Sequence, residues 1–140
     1  MVMRNGTRDR AIAESLALYV RKLNDASRNG ALVVVEGKRD VKALRSIGFA
    51  GRVVMLCHNS NLKLLVEEAE KYRKTILLLD LDREGRSLTK KAATLLEEKK
   101  NKIDLYFRHK LSSTTRGRVK QIEELSRFSE YLQPHIETTD

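Results

Sequence analysis

The sequence predicts an α/β protein: a mostly parallel four-stranded sheet flanked by helices, with one extra helix before the sheet and another after it. Three observations predict it. Short apolar runs at 31–35, 52–57, 75–79 and 103–107 alternate with stretches whose apolar residues recur at helical spacing. Strands and helices that alternate at this spacing imply right-handed crossovers. The third run, Thr75-Ile76-Leu77-Leu78-Leu79, enters Asp80 without a polar break, which reads as a strand buried on both faces, as in a parallel sheet.

In chain order, residues 1–8 read as a lead-in. Ile12, Leu16, Tyr19, Val20 and Leu23 then mark a helix over 9–27, with Asp9 as its cap and Asn29-Gly30 as its end. Residues 1–29 thus form a helical extension. Ala31-Leu32-Val33-Val34-Val35 is a β-branched strand that runs into Glu36-Gly37-Lys38-Arg39-Asp40 and a helix carrying Val41, Leu44 and Ile47. Gly48-Phe49-Ala50-Gly51 is the return loop to the second strand. His58-Asn59-Ser60-Asn61 leads to a helix through Leu62, Leu65, Val66 and Ala69, with Asn59 or Ser60 as cap. After the third strand a helix carries Leu88, Ala92, Leu95 and Leu96. The fourth strand follows. Residues 108–118 hold one apolar residue, Leu111, and read as a cationic loop. A last helix resumes at Val119 with Ile122, Leu125 and Phe128, closed by Pro134.

With 140 residues the chain is most economically one domain with its own core. Its net charge of +9 points to a polyanionic partner, nucleic acid or anionic lipid. The single cysteine, Cys57, excludes a disulfide framework and cannot complete a zinc set even with His58 beside it, so it reads as a buried structural thiol. No apolar run reaches membrane-spanning length and no signal-type segment opens the chain, so the expected location is cytoplasmic, with no membrane partner. No phosphate-binding Gly-x-x-x-x-Gly-Lys-Ser/Thr loop occurs. Four tyrosines and three phenylalanines leave little for a base-stacking platform, and Tyr72 and Tyr106 read as core or rim residues.

Ligands of parallel α/β sheets bind beyond the carboxyl ends of the strands. Glu36 ends the first strand, and Asp80 and Asp82 end the third. Side chains alternate along a strand, so Asp80 and Asp82 share a side if the strand persists through them. Three converging carboxylates repel one another unless a cation joins them, and hard oxygen donors suit magnesium. The bland reading is that each acid only caps the helix that follows it.

Val33-Val34-Val35-Glu36-Gly37-Lys38-Arg39-Asp40 together with Leu77-Leu78-Leu79-Asp80-Leu81-Asp82-Arg83-Glu84-Gly85 resembles the Toprim domain. That domain is shared by bacterial-type primases, topoisomerases, old-family nucleases, recombination-repair proteins and a ribosomal-RNA-maturing ribonuclease. The compact chain is similar to the small stand-alone, primase-like Toprim proteins, and the segment 117–125 looks like one that follows the Toprim core in them and in the ribonuclease. The resemblance implies a Rossmann-like Toprim fold over 30–110, with 111–140 packed on the same domain. It implies Glu36 as catalytic acid/base and Asp80 and Asp82 as holders of magnesium, with manganese as a substitute; Glu36 would also border the metal. It implies nuclease-like or nucleotidyl-transfer chemistry on RNA or DNA, within or outside a ribonucleoprotein complex. The physical logic agrees, because phosphoryl transfer needs positioning and charge neutralisation above all. A glutamate held near two aspartates without metal should have a raised pKa. Lys38, Arg39, Arg83 and Arg86 flank the acids, and Arg108, Lys110, Arg116 and Arg118 populate the cationic segment; these are the candidate phosphate contacts. Asn59 and Ser60 end the second strand on the same edge, where helix capping competes with phosphate binding.

Two other functions compete. One is a metal-stabilised, non-catalytic module that docks on nucleic acid or a ribonucleoprotein. The weaker is a haloacid-dehalogenase-like phosphatase with Asp80 as nucleophile. Arg83 stands where that family has threonine or valine, and little chain remains for its other motifs.

Overall fold

The computed structural model describes residues 2–57 and 62–132. His58, Asn59, Ser60 and Pro134, with the capping and phosphate roles expected of them, lie outside the described residues. The elements run α1 (Val2–Arg28), β1 (Ala31–Val35), α2 (Lys38–Ser46), β2 (Val53–Met55), α3 (Leu62–Ala69), β3 (Lys74–Leu77), α4 (Arg83–Glu98), β4 (Ile103–Asp104), α5 (Tyr106–Thr114) and a 3-10 helix, Ile122–Phe128. The four strands pair in parallel in the order β2-β1-β3-β4.

That order decides where a site can form. From β1 the chain steps outward to β2, then crosses back over β1 to β3 and on to β4. A reversal of direction with right-handed crossovers sends α2 to one face and α3 and α4 to the other. The core shows this division. Ala31, Val33, Val35, Ile76 and Leu78 pack with α1, α2, α5 and the 3-10 helix. Leu32, Val34, Leu77 and Leu79 pack with α3 and α4. The chain leaves β1 and β3, two adjacent strands, toward opposite faces, which opens a crevice at their carboxyl ends.

Several elements differ from the sequence expectation. Helix α1 begins at Val2, not at Asp9, so Asp9 is no cap; it sits inside the helix and pairs with Arg118 at 2.9 Å. Gly30, at φ +99°, ends the turn after α1 in a conformation that glycine adopts without strain. Strands β2 and β4 are shorter than the apolar runs that announced them, and β3 stops at Leu77. Cys57, expected to be buried, is exposed, in a left-handed turn at φ +48°.

The largest correction concerns 108–118. Most of this segment is helical rather than a cationic loop: α5 spans Tyr106–Thr114. Phe107, Leu111 and Thr115 are buried at four-residue spacing, a stripe too narrow to register as amphipathic in so polar a sequence. The hydroxyls are satisfied locally, since Ser113 and Thr114 donate to the Lys110 carbonyl and Thr115 to the Leu111 carbonyl. Beyond it, Val119, Ile122, Leu125 and Phe128 recur every three residues and are all buried. A 3-10 helix has three residues per turn, so this spacing lines them on one side, against α2. Among the described residues no helix is long and apolar enough to cross a membrane.

Gly85 fixes how closely α4 approaches β3. A Cβ at that position would stand 1.9 Å from the Asp80 carbonyl oxygen. Gly85→Ala is expected to destabilise the protein by about 1–3 kcal/mol through overpacking, read as a lowered urea midpoint with an unchanged slope. Phe128 is fully buried between the 3-10 helix and the rest of the core. Phe128→Ala should cost about 3–5 kcal/mol in the same measurement.

Candidate active site at the carboxyl edge of the sheet

The site is built where the β1–β3 ladder runs out. The Leu78 amide still donates to the Val34 carbonyl at 2.9 Å. Two residues on, the Asp80 amide donates instead to the Glu36 carboxylate, at 2.9 Å from Oε2. The side chain of Glu36 thus takes the place of a ladder carbonyl where the two strands part. Forty-four positions separate the two residues in sequence, and the topology brings them into contact.

Asp80 and Asp82 do not reach the site by strand alternation, because β3 has already ended. Ile76 and Leu78 face the α2 side of the sheet, and Asp80 is placed by its own hydrogen bonds. Its Oδ1 accepts the Ile122 amide at 2.8 Å and so tethers the start of the 3-10 helix. A second bond, from the Leu81 amide to the Lys120 carbonyl, ties the same two segments together. Asp82 is the N-cap of α4, accepting the Gly85 amide at 2.8 Å. Asp82 thus caps the helix that follows it, whereas Asp80 accepts the first amide of a helix far along the chain.

Two residues join the site that sequence reasoning did not place there, and a third, Arg108, has contacts other than those expected of it. Asp40, buried, accepts the Gly37 amide at 3.0 Å from the first turn of α2, the one half of a capping box that a glycine N-cap allows. Its position three residues after Gly37 was the available signal. Glu123, the residue after Ile122, is close enough to act electrostatically on both Asp40 and Asp80. Arg108 was counted as a cation of a loop; it is instead a clamp. From α5 its Nε and an Nη donate to the carbonyls of Leu79 and Asp80, at 3.1 and 2.6 Å. It fixes the path of the chain that carries both aspartates.

The other predicted contacts are placed as follows. Lys38 and Arg39 open α2, and Arg83 and Arg86 open α4; all four are exposed. Lys110 lines a cleft between α1 and α5. Arg116 lies in the turn after α5 at φ +55°, and Arg118 is engaged with Asp9. The two glycines that follow the acids differ in role. Packing demands Gly85, whereas a Cβ at Gly37 would meet nothing within 4 Å. The bare Gly37 leaves the approach beside Glu36 open.

Burial and mutual repulsion set the electrostatics. Partial burial, above all, pushes the Glu36 carboxyl up to about 7, helped by the charges of Asp80 and Asp40 and opposed by the Asp80 amide. Asp80 is also raised, first by burial, while the Ile122 amide pulls the other way. Burial likewise raises Asp40. The Arg108 guanidinium is pushed down by burial and by the nearby Arg86, and its acidic neighbours oppose this.

Among the described residues no three acids stand close enough together to hold a metal ion between them. The donor chemistry still fits a hard divalent cation. Magnesium keeps several waters and needs only one or two protein carboxylates. Glu36 and Asp80 supply that pair, each with one carboxylate oxygen left free of the amide bonds described above.

Comparison with known proteins agrees with this fold. The Toprim domain model matches residues 31–114. A UPF0292 protein of Archaeoglobus fulgidus is 33% identical over 81% of this chain and 88% of its own length. A UPF0292 protein of Thermococcus gammatolerans is 37% identical over 81% of this chain and 84% of its own. A solved structure of a protein from Aquifex aeolicus superposes with a TM-score of 0.67 at 32% identity, over 78% of this chain and 96% of that one. The chain belongs to the Toprim domain family, among the UPF0292 proteins.

Proposed function

We propose that the protein carries out magnesium-dependent phosphodiester chemistry on nucleic acid, cleavage or nucleotidyl transfer on RNA or DNA, with Glu36 as the proton-transferring group. Membership in the Toprim family supports a metal-dependent, nucleic-acid-related role in general. The observation that carries the finer reading is the Glu36 carboxyl, locked against the Asp80 amide and raised to about 7. A group that titrates near neutrality both holds and releases a proton under working conditions. The Asp80 carboxyl lies within hydrogen-bonding reach of Glu36, so the pair holds that proton together. A divalent ion held by Asp80, with Asp82 near its water shell and Glu36 bordering it, would neutralise phosphate charge and activate a water or hydroxyl. Arg108 keeps the aspartate loop in place, and Lys38, Arg39, Arg83 and Arg86 surround the entrance with positive charge. Lys110, Arg116 and Arg118 lie farther along the chain, Arg118 already paired.

One observation favours a second reading, a non-catalytic nucleic-acid or ribonucleoprotein binding module. Each of the three acids already accepts a backbone amide, as a purely structural carboxylate does. The same experiment separates the two. Purified protein is assayed with magnesium against labelled single- and double-stranded RNA and DNA. Under the catalytic reading Glu36→Gln and Asp80→Asn each lower turnover by about 100-fold or more. Salt-dependent binding that survives both substitutions, without turnover in the wild type, selects the binding module.

The acid site also predicts how stability depends on pH. Glu36 ordinarily titrates near 4.5 and in the folded protein near 7, so the folded state holds this proton more tightly than the unfolded chain. Its contribution to stability is complete below pH 4.5 and is lost as pH rises to about 7. Asp80 and Asp40, raised in the same direction, add to the fall. In chelator, thermal midpoints are expected to drop across this window. Millimolar magnesium should restore them at neutral pH, and Glu36→Gln should flatten the profile.

A further inference from the structure

Between the buried Val119 and Ile122, two exposed residues, Lys120 and Gln121, carry the chain past the aspartate loop. Their peptide groups make both bonds to that loop. The Lys120 carbonyl accepts the Leu81 amide at 2.6 Å, and the Ile122 amide donates to Asp80 Oδ1 at 2.8 Å. A peptide group is planar and trans, so its N–H and its C=O point in opposite directions. Whatever holds the far end of each plane therefore aims the near end at the aspartate loop.

Glu124 holds both far ends. Its Oε1 accepts the Gln121 amide at 2.8 Å, and that N–H shares a plane with the Lys120 carbonyl. Its own amide donates to the Gln121 carbonyl at 3.0 Å, and that oxygen shares a plane with the Ile122 amide. The same Oε1 also accepts the Lys120 amide at 3.1 Å. Lys120 and Gln121 are exposed, so water would satisfy their amides without help. What the carboxylate adds is a fixed direction. Glu124 itself is half-buried and takes no part in an ion pair among the described residues. Its side chain is given to the backbone of this one turn.

We propose that Glu124 is a positioning residue for the acid site: by setting the two peptide planes between Lys120 and Ile122, it fixes the orientation in which the Asp80 carboxylate meets a divalent cation. The inference rests on the metal reading above and adds a residue that touches neither metal nor substrate. An acid that merely eased the start of the 3-10 helix would act on stability alone.

The test measures manganese affinity without nucleic acid, from the electron paramagnetic signal of the free ion, with thermal melts alongside. Glu124→Ala and Glu124→Met remove the acceptor at two side-chain lengths, and Glu124→Gln keeps an oxygen acceptor without the charge. Leu96→Val, a lost methylene in the core on the opposite face of the sheet, controls for stability. The alanine and methionine variants are expected to bind manganese about ten-fold more weakly, the lower end for groups that orient metal ligands. The glutamine variant should bind as the wild type does, and Leu96→Val should melt earlier with unchanged affinity. Coupling is reciprocal, so magnesium should also slow hydrogen exchange of the Lys120 and Gln121 amides in the wild type, by about the same factor. Wild-type affinity in the alanine and methionine variants overturns the positioning role and leaves a cap. A glutamine variant as weak as those two overturns it in favour of a charge acting through space. Wild-type amides that exchange equally fast in magnesium and in chelator overturn it whether or not the variants fold. A wild type that binds no manganese overturns the metal reading, and this inference with it.

Discussion

Where β1 and β3 part, the Asp80 amide donates to the Glu36 carboxylate in place of a ladder carbonyl, and the rest of the site depends on that substitution. The strands must part because the helices that follow them depart to opposite faces. An amide at the parting point needs an acceptor, and a carboxylate reaching across from the neighbouring strand supplies one. Once Asp80 is pinned by its amide, its side chain is free to reach the 3-10 helix, and Gly85 lets α4 begin directly against its carbonyl. Arg108 holds the same loop from α5.

Much of this was legible in the sequence, and the physical reasons for what was not are specific. The β-branched run 31–35 is a strand over its full length, and the order of strands and helices follows from their apolar runs. Glu36 and Asp80 could be paired because both stand at strand ends on one edge of a parallel sheet. The same-side argument for Asp80 and Asp82 failed because it assumed a strand where the chain had already turned into a cap. Helix α5 was hidden by composition. Two buried apolar residues in nine suffice when the hydroxyls of the last turn bond backward to carbonyls, a contribution that hydrophobic periodicity does not register. Asp40 escaped notice because it looks like any acid in a first turn. Its burial depends on the 3-10 helix packed over α2, a contact between distant parts of the chain.

Charge and stability oppose each other throughout this edge. Carboxylates are held near one another in partial burial, and cations stand unpaired on the helix beside them. Neither arrangement favours the isolated fold. The crowding of carboxylates is relieved by any cation that meets them, and the exposed cations by any anion. The two requirements are complementary, since one bound phosphate can satisfy a metal and an arginine together.

Asp80 closes its contacts with the Ile122 amide, from a segment that is made after every strand of the sheet. During synthesis the sheet can therefore assemble on the ribosome while its acidic edge is still incomplete. The sheet's last strand ends at Asp104, eighteen residues before the amide on which the placement of the Asp80 carboxylate depends, so a chain cut between the two would keep every strand and lose that bond.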